Sequence, residues 1–307
     1  MTVTQNVPKA KLLVTGCTGL LGSNICYNLR DSFEITGISR GPFFMNGIEH
    51  IRADFSNGEE MRELFSASKY DAVIHCAAIT NVDACEKDPH QAFEINTEAA
   101  YALSRQAQSQ DARFVFISTD AVFAGESEVP YKETDPVDPI SIYGQTKVKA
   151  EEKILENRNS LVVRTNMYGF NWLDKESLSE WVIRSIQQGD NIKMFYDVVF
   201  NPLLANTLAT SIARALHLEA RGILNIGCTT PLSKYDFGRE IAARMGQPCK
   251  IQPISVDDFG FMAKRAHYMH LNCDKAQKLG ISLPSIYDDI DEMFELLALG
   301  YDKKIRE

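Results

Sequence analysis

A glycine-rich turn closes the first apolar run of this chain, and no other feature restricts its fold so tightly. Residues 11–16 read KLLVTG, a β-rich segment, and run into T-G-C-T-G-L-L-G with Gly16, Gly19 and Gly22. Glycines placed so allow a tight turn, let backbone N–H groups approach a pyrophosphate, and let the following helix pack close to the sheet. A glycine triplet alone is weak evidence. Here it follows the first strand and opens a helical pattern over 20–30, the setting a dinucleotide site requires.

The pattern after the turn extends the same reading. Strands are predicted over 34–39, 50–55, 71–78, 113–119 and 160–165, separated by helices over 59–68, 89–110 and 139–157. The run DAVIHCAA is continuous and apolar, as a strand buried on both faces should be. Strands alternating with helices imply right-handed βαβ units and an α/β fold, a Rossmann-type doubly wound parallel sheet. After Thr165 the rhythm weakens, with helices over 175–188, 203–217, 234–245, 273–279 and 286–299 and one more strand over 222–227. The expected organisation is a nucleotide-binding domain, 10–165 plus about 195–228, and a smaller interleaved C-terminal substrate domain, 166–194 plus 229–307.

Charge narrows the partners. The net charge of −9 argues against nucleic acid, while leaving room for a local cation that holds an anionic ligand. The start, MTVTQNVPKAK, lacks the apolar stretch of a signal peptide, and residues 1–9 read as a loose tail. No apolar run reaches the roughly 18 residues a membrane span needs, so no membrane partner is expected. The seven cysteines are odd in number and contain no C-x-x-C pair, which fits reduced thiols in a cytoplasmic protein.

Residues with chemistry sit where such a sheet would gather them. A carboxylate holding a ribose 2′-hydroxyl is expected roughly 20 residues beyond the glycines, at the tip of the second strand. That strand ends in Ser39-Arg40, and a guanidinium suits a 2′-phosphate, favouring NADPH over NADH. Asp54, at the end of the third strand, is placed to accept from an adenine amino group. Among the tyrosines only Tyr143 has a lysine four residues on, Lys147, which puts both on one face of a helix. A nearby ammonium would draw the phenol down toward neutrality and suit it to proton exchange with a carbonyl oxygen. The fifth strand delivers two hydroxyls, Ser118 and Thr119. Lys147, Lys149, Lys153, Glu151 and Glu152 read as a mixed solvated helix face. His267 and His270 lack a third ligand, so no metal is expected.

TGCTGLLG, HCAA, Asn96, ISTDAVF and YGQTK together resemble the extended short-chain dehydrogenase/reductases. Within that family, AAITNVDACEKDP, the stretch from ISTDAVFAGE to YGQTKVKAEE, and KRAHYMHLNCDKAQKLGI are most similar to the dTDP-4-dehydrorhamnose reductases. The resemblance implies Thr119, Tyr143 and Lys147 as the catalytic set. It implies a cofactor surface of Gly16, Thr18, Gly19, Leu20, Leu21, Gly22, Ser39, Arg40, Asp54, Phe55, Cys76, Ala77 and Ala78, with Tyr143 and Lys147. Asn96 would join it and organise the active-site helix. Substrate contacts would come from Thr80, Asp120, Ala121, Asn166, Met167 and Arg265.

The implied activity is NADPH-dependent reduction of the 4-keto group of a nucleotide-linked deoxysugar, and a homodimer is an allowed assembly. Departures bear on the sugar. Ala121 stands where the family often has Tyr, Asn166-Met167 replaces Ser-Trp, and Ala266 replaces Pro. Two alternatives share the residues. One is a nucleotide-sugar epimerase or dehydratase. The other is a non-catalytic NADP-binding regulator like the methionine adenosyltransferase β subunit.

Overall fold

The apolar runs of the first half are each too short to bury themselves, so they pair side by side. In the computed structural model, which describes residues 8–173, 175–247 and 250–305, they form one parallel sheet. Its strands are β1 (Ala10–Thr15), β2 (Phe33–Ser39), β3 (Ile48–Arg52), β4 (Ala72–His75), β5 (Arg113–Thr119) and β6 (Ser160–Thr165). A seventh, Gly222–Asn225, comes from the second half of the chain. The order is Gly222–Asn225, β6, β5, β4, β1, β2, β3, and every neighbouring pair is parallel. The winding reverses between β1 and β4, and a crevice opens there beyond the carboxyl ends of the strands.

Both faces are covered, as the unbroken apolar strands require. Leu12 and Val14 of β1 point into one core and Leu13 into the other. Helix α1 (Leu20–Leu29) packs on the first face beside the helix Ala205–His217. On the second lie α2 (Gly58–Ala67), then, after the short α3 (Val82–Lys87), the run of α4 (Pro89–Phe93) and α5 (Ala100–Ser109), and α6 (Ile142–Ile154).

Several expected elements are redrawn. The helix over 89–110 is interrupted by a π-helical turn, Glu94–Ala99, which carries Asn96. The helix over 139–157 starts later because the Ser141 hydroxyl caps it by accepting from the Gly144 N–H. The helix over 175–188 begins at Leu178, behind a capping box of Ser177 and Glu180. Asn191–Phe195 pairs in parallel with Lys250–Ile254, a non-local pairing with no local sequence signal. A last short helix, Tyr301–Lys304, is anchored by the buried Tyr301 hydroxyl donating to Asn24 at 2.9 Å. Residues 1–7 of the expected tail, residues 306–307 and Cys249 lie outside the described residues. Among the described residues six cysteines are free, and no helix is long and apolar enough to cross a membrane.

Candidate active site

The turn after β1 is shaped by backbone contact. Gly16 has φ +68°, and a Cβ there would sit 2.9 Å from the Ala77 backbone. A Cβ at Gly22 would meet the Gly16 carbonyl oxygen at 2.1 Å, so no side chain fits without opening the turn. Gly19, the N-cap of α1, supplies no side-chain cap, which leaves the first N–H groups of α1 turned toward the crevice. A cleft of about 640 Å³ lies above them. It is lined by Gly16, Thr18, Gly19, Leu20, Leu21, Gly22, Ser39, Arg40, Asp54, Phe55, Cys76, Ala77, Ala78, Tyr143 and Lys147. Arg40 is exposed at the rim, close enough to Asp54 for their charges to attract. The segment Asn171, Leu173, Lys175, Glu176 and Ser177 also lines this cleft, and no motif in the sequence announces it.

Asn96 is a correction. It was expected on the cofactor surface, yet it is buried behind the wall. Its Oδ1 accepts from the Ile79 N–H at 2.8 Å, while its Nδ2 donates to the Ile79 carbonyl and to Thr146 Oγ1 at 3.1 Å. The side chain ties the segment after β4 to α6, one residue from Lys147. The π-helical turn aims it inward, and such turns often occur at functional sites.

A second cleft, of about 510 Å³, adjoins the first. Thr80, Thr119, Tyr143 and Asn166 line both, so the hydroxyls of Thr119 and Tyr143 stand at the seam. Tyr143 reaches this position because its neighbour is glycine: a Cβ at Gly144 would clash with the Ala121 carbonyl at 2.3 Å. The Thr119 hydroxyl, beside Tyr143 in both clefts, donates to Asp120 Oδ1 at 2.9 Å. Ser118, the other hydroxyl on β5, also lines the first cleft, with its hydroxyl donating to Glu151 Oε1 at 2.5 Å.

The electrostatics of the pair differ from expectation. Lys147 Nζ donates to the Ile117 carbonyl at 2.6 Å and lies 3.9 Å over the Phe116 ring. Burial pulls its ammonium down to about 7, against the opposing pull of Glu151. Burial and then the Asp120 carboxylate push the Tyr143 phenol up, with the nearby Thr119 hydroxyl acting the other way. The phenol is therefore held protonated, the form that donates a proton to a carbonyl oxygen.

The expected solvated face of α6 is also corrected. Lys149 and Glu152 are exposed, but Lys147 and Glu151 are 2% and 3% exposed. Glu151 accepts from Arg164 Nε at 3.1 Å and from Arg164 Nη2 at 2.6 Å. Positions i, i+4 and i+8 form one stripe on a helix, so Tyr143, Lys147 and Glu151 point the same way, into the protein. A run of alternating charges in the sequence concealed this.

The second cleft brings together Asp120, Ala121 and Arg265. Met167 is a correction, since it lines the first cleft and not the second. Arg265 pairs with Asp83 at 3.1 Å and lies 4.4 Å over the Phe261 ring. Its Nη1 is buried and finds no hydrogen-bond partner among the described residues. Sequence reasoning missed Asp83, Phe261 and Lys234, all of which line this cleft. Lys234 opens the helix Lys234–Met245, where a cation opposes the helix dipole, and that mismatch was its only local signal. His267 hydrogen-bonds the Asp197 carbonyl and His270 the Glu128 carbonyl. No group of three metal-binding side chains occurs among the described residues.

Comparison with known proteins places these features in a lineage. The family described as RmlD substrate binding domain matches residues 10–299. The probable low-salt glycan biosynthesis reductase Agl14 of Haloferax volcanii is 30% identical over 286 residues, covering 90% of this chain and 95% of that protein. Methionine adenosyltransferase 2 subunit beta of Danio rerio is 26% identical, over 91% of this chain and 87% of its own. The crystal structure of dTDP-4-dehydrorhamnose reductase from Bacillus anthracis in complex with NADP superposes with a TM-score of 0.85 at 25% identity. It covers 94% of this chain and 99% of that one.

Proposed function

This chain belongs to the RmlD substrate binding domain family of the extended short-chain dehydrogenase/reductases, and from that premise we propose that it uses NADPH to reduce the 4-keto group of a nucleotide-linked deoxysugar. The observation that carries the reading is the seam, where Thr119 and Tyr143 meet between a cleft with a phosphate cradle and a second, walled cleft. When bound, the nicotinamide supplies the hydride.

The chain's own residues do the rest. Gly16, Gly22 and the uncapped end of α1 fit a pyrophosphate, and Arg40 fits a 2′-phosphate beside Ser39. The Thr119 hydroxyl, which donates to Asp120 in the empty site, turns its one proton to the carbonyl oxygen, and Tyr143 donates its proton to that oxygen as the alcohol forms. Lys147, fixed on Ile117, lines the cofactor cleft one helical turn from Tyr143 and supplies positive charge there as the pH falls below about 7. In the second cleft the orphaned Nη1 of Arg265 suits the diphosphate of a sugar nucleotide. Residues 166–194 and 229–307 act as the substrate domain in this reading, with the remainder holding the cofactor.

A regulatory reading has one observation in its favour, the likeness to methionine adenosyltransferase 2 subunit beta. The presence of Thr119, Tyr143 and Lys147 together speaks for catalysis. NADPH oxidation against a panel of nucleoside-diphosphate 4-keto-6-deoxy sugars tests the proposal. Oxidation with at least one sugar is expected. Tight NADPH binding without oxidation by any sugar would overturn it in favour of a regulator. Conversion of a sugar without net oxidation would mean an epimerase.

A further inference from the structure

Lys234 is placed where a lysine is costly unless it has a task. It occupies the first position of the helix Lys234–Met245, at the positive end of the helix dipole. Burial pulls its ammonium below the usual lysine range, and the Arg265 guanidinium repels it further. Its Nζ also stands 5.8 Å from the Phe200 ring centre. The compensating charge is Asp120, whose attraction acts in the opposite direction.

Asp120 has capacity to spare. It is 2% exposed, on the turn after β5. One oxygen accepts from the Thr119 hydroxyl at 2.9 Å and the other from Asn166 Nδ2 at 2.7 Å. An ionised carboxylate offers about four acceptor sites, so these two bonds leave room for a further donor. Asp120, Asn166 and Lys234 all line the second cleft. Arg265 in the same cleft is already paired with Asp83. The two cations therefore divide the cleft, one beside Asp83 and the other beside the seam.

We propose that Lys234 and Asp120 form a donor–acceptor pair that reads a hydroxyl on the sugar carbon next to the reacting carbonyl. The ammonium donates to the hydroxyl oxygen, and the hydroxyl donates to Asp120. Position follows from the Thr119 bond. In the reductase reading, on which this inference rests, the Thr119 hydroxyl turns its one proton from Asp120 to the carbonyl oxygen, which frees the Asp120 oxygen beside it. Asp120 lies one hydrogen bond from Thr119, so its free acceptor sites reach a substituent of the adjacent carbon. The substrate class is then a 4-keto sugar with a free 3-hydroxyl. A 3-deoxy sugar would leave an ammonium and a carboxylate facing an apolar carbon, and desolvated polar groups without partners reject such a ligand.

The test is calorimetric titration of the NADPH-loaded protein with two reduced probes, a dTDP-6-deoxyhexose bearing a 3-hydroxyl and its 3-deoxy analogue. Wild type should prefer the hydroxylated probe by about 10–100-fold, the range of hydrogen bonds to charged groups. Lys234→Met and Asp120→Asn should each bring the ratio near one, and Lys234→Arg should keep much of it. NADPH titration of each variant checks folding, and the Asp120→Asn arm stands if Lys234→Met does not fold. A wild-type ratio near one would overturn the proposal. So would a Lys234→Met variant that weakens both probes equally, the mark of a merely structural lysine. The ratio is read without turnover. A preserved hydroxyl preference with no NADPH oxidation would therefore support the pair while removing the reductase reading.

Discussion

The floor of the first cleft and the wall of the second are built on opposite plans. The floor comes from short stretches at consecutive strand ends, Gly16–Gly22, Ser39–Arg40, Asp54–Phe55 and Cys76–Ala78. Each stretch is locally complete, and backbone sterics fix its shape. The wall draws on segments from Thr80 to Met269, joined by contacts such as Arg265 to Asp83 and Asn166 to Asp120. Its shape depends on side chains that meet only after folding. The difference teaches that the first cleft is written in local motifs, whereas the second is written in topology.

If the seam between the two regions does the chemistry, damage there should exceed damage in either. Tyr143→Phe keeps the ring and removes the proton donor. Turnover is expected to fall by about 10²–10⁴-fold with cofactor affinity retained. Steady-state kinetics with a parallel NADPH titration reads both, and near-normal turnover would move the chemistry away from the seam.

Support behind the seam should matter next. Glu151→Gln leaves Arg164 buried without its charged partner and is expected to cost about 3–5 kcal/mol of stability. Glu152→Gln, on the exposed turn beside it, should stay within about 0.5 kcal/mol. Denaturant unfolding of both variants checks the contrast, and equal effects would erase the distinction between the two faces of α6.

On the floor alone, Arg40→Ala should remove most of a preference for NADPH over NADH, a charge-assisted contact of about 1.5–3 kcal/mol. Titration of wild type and variant with both cofactors decides it. Equal wild-type affinities would remove the role given to Arg40.

Per pH unit, the smallest effect concerns the base of the floor. His75, bonded to Thr15 at 2.7 Å, is 1% exposed, and burial pulls its imidazole down to about 3 from 6.5. Between those values the unfolded chain takes up a proton that the folded chain refuses. Stability should fall as the pH drops through that window, by at most about 1.4 kcal/mol per pH unit. His75→Gln should flatten the acid side of a stability–pH curve, and an unchanged slope would contradict the assignment.

The same division explains what could be read from the sequence. The parallel sheet followed from continuous apolar strands, and the glycine turn from three residues whose conformational demands are local. Tyr143 and Lys147 were legible through their i, i+4 spacing. Glu151 was not, because a buried carboxylate looks solvated until Arg164 is brought from β6 to meet it. Asn96 was misplaced because a π-helical turn changes the direction of a side chain without a compositional mark. Lys234 and Asp83 were missed for the reason that applies to the whole wall: their partners lie far away in the chain.

The most direct measurement follows a deuterium atom from NADPH carrying deuterium at both C4 positions of the nicotinamide into a nucleoside-diphosphate 4-keto-6-deoxy sugar. Mass spectrometry and NMR of the product locate it. The seam at Thr119 and Tyr143 calls for one deuterium on the former carbonyl carbon, with one equivalent of NADPH oxidised and incorporation lost in step with turnover in Tyr143→Phe. An altered sugar without deuterium, or labelled NADPH left intact beside every sugar offered, would contradict it.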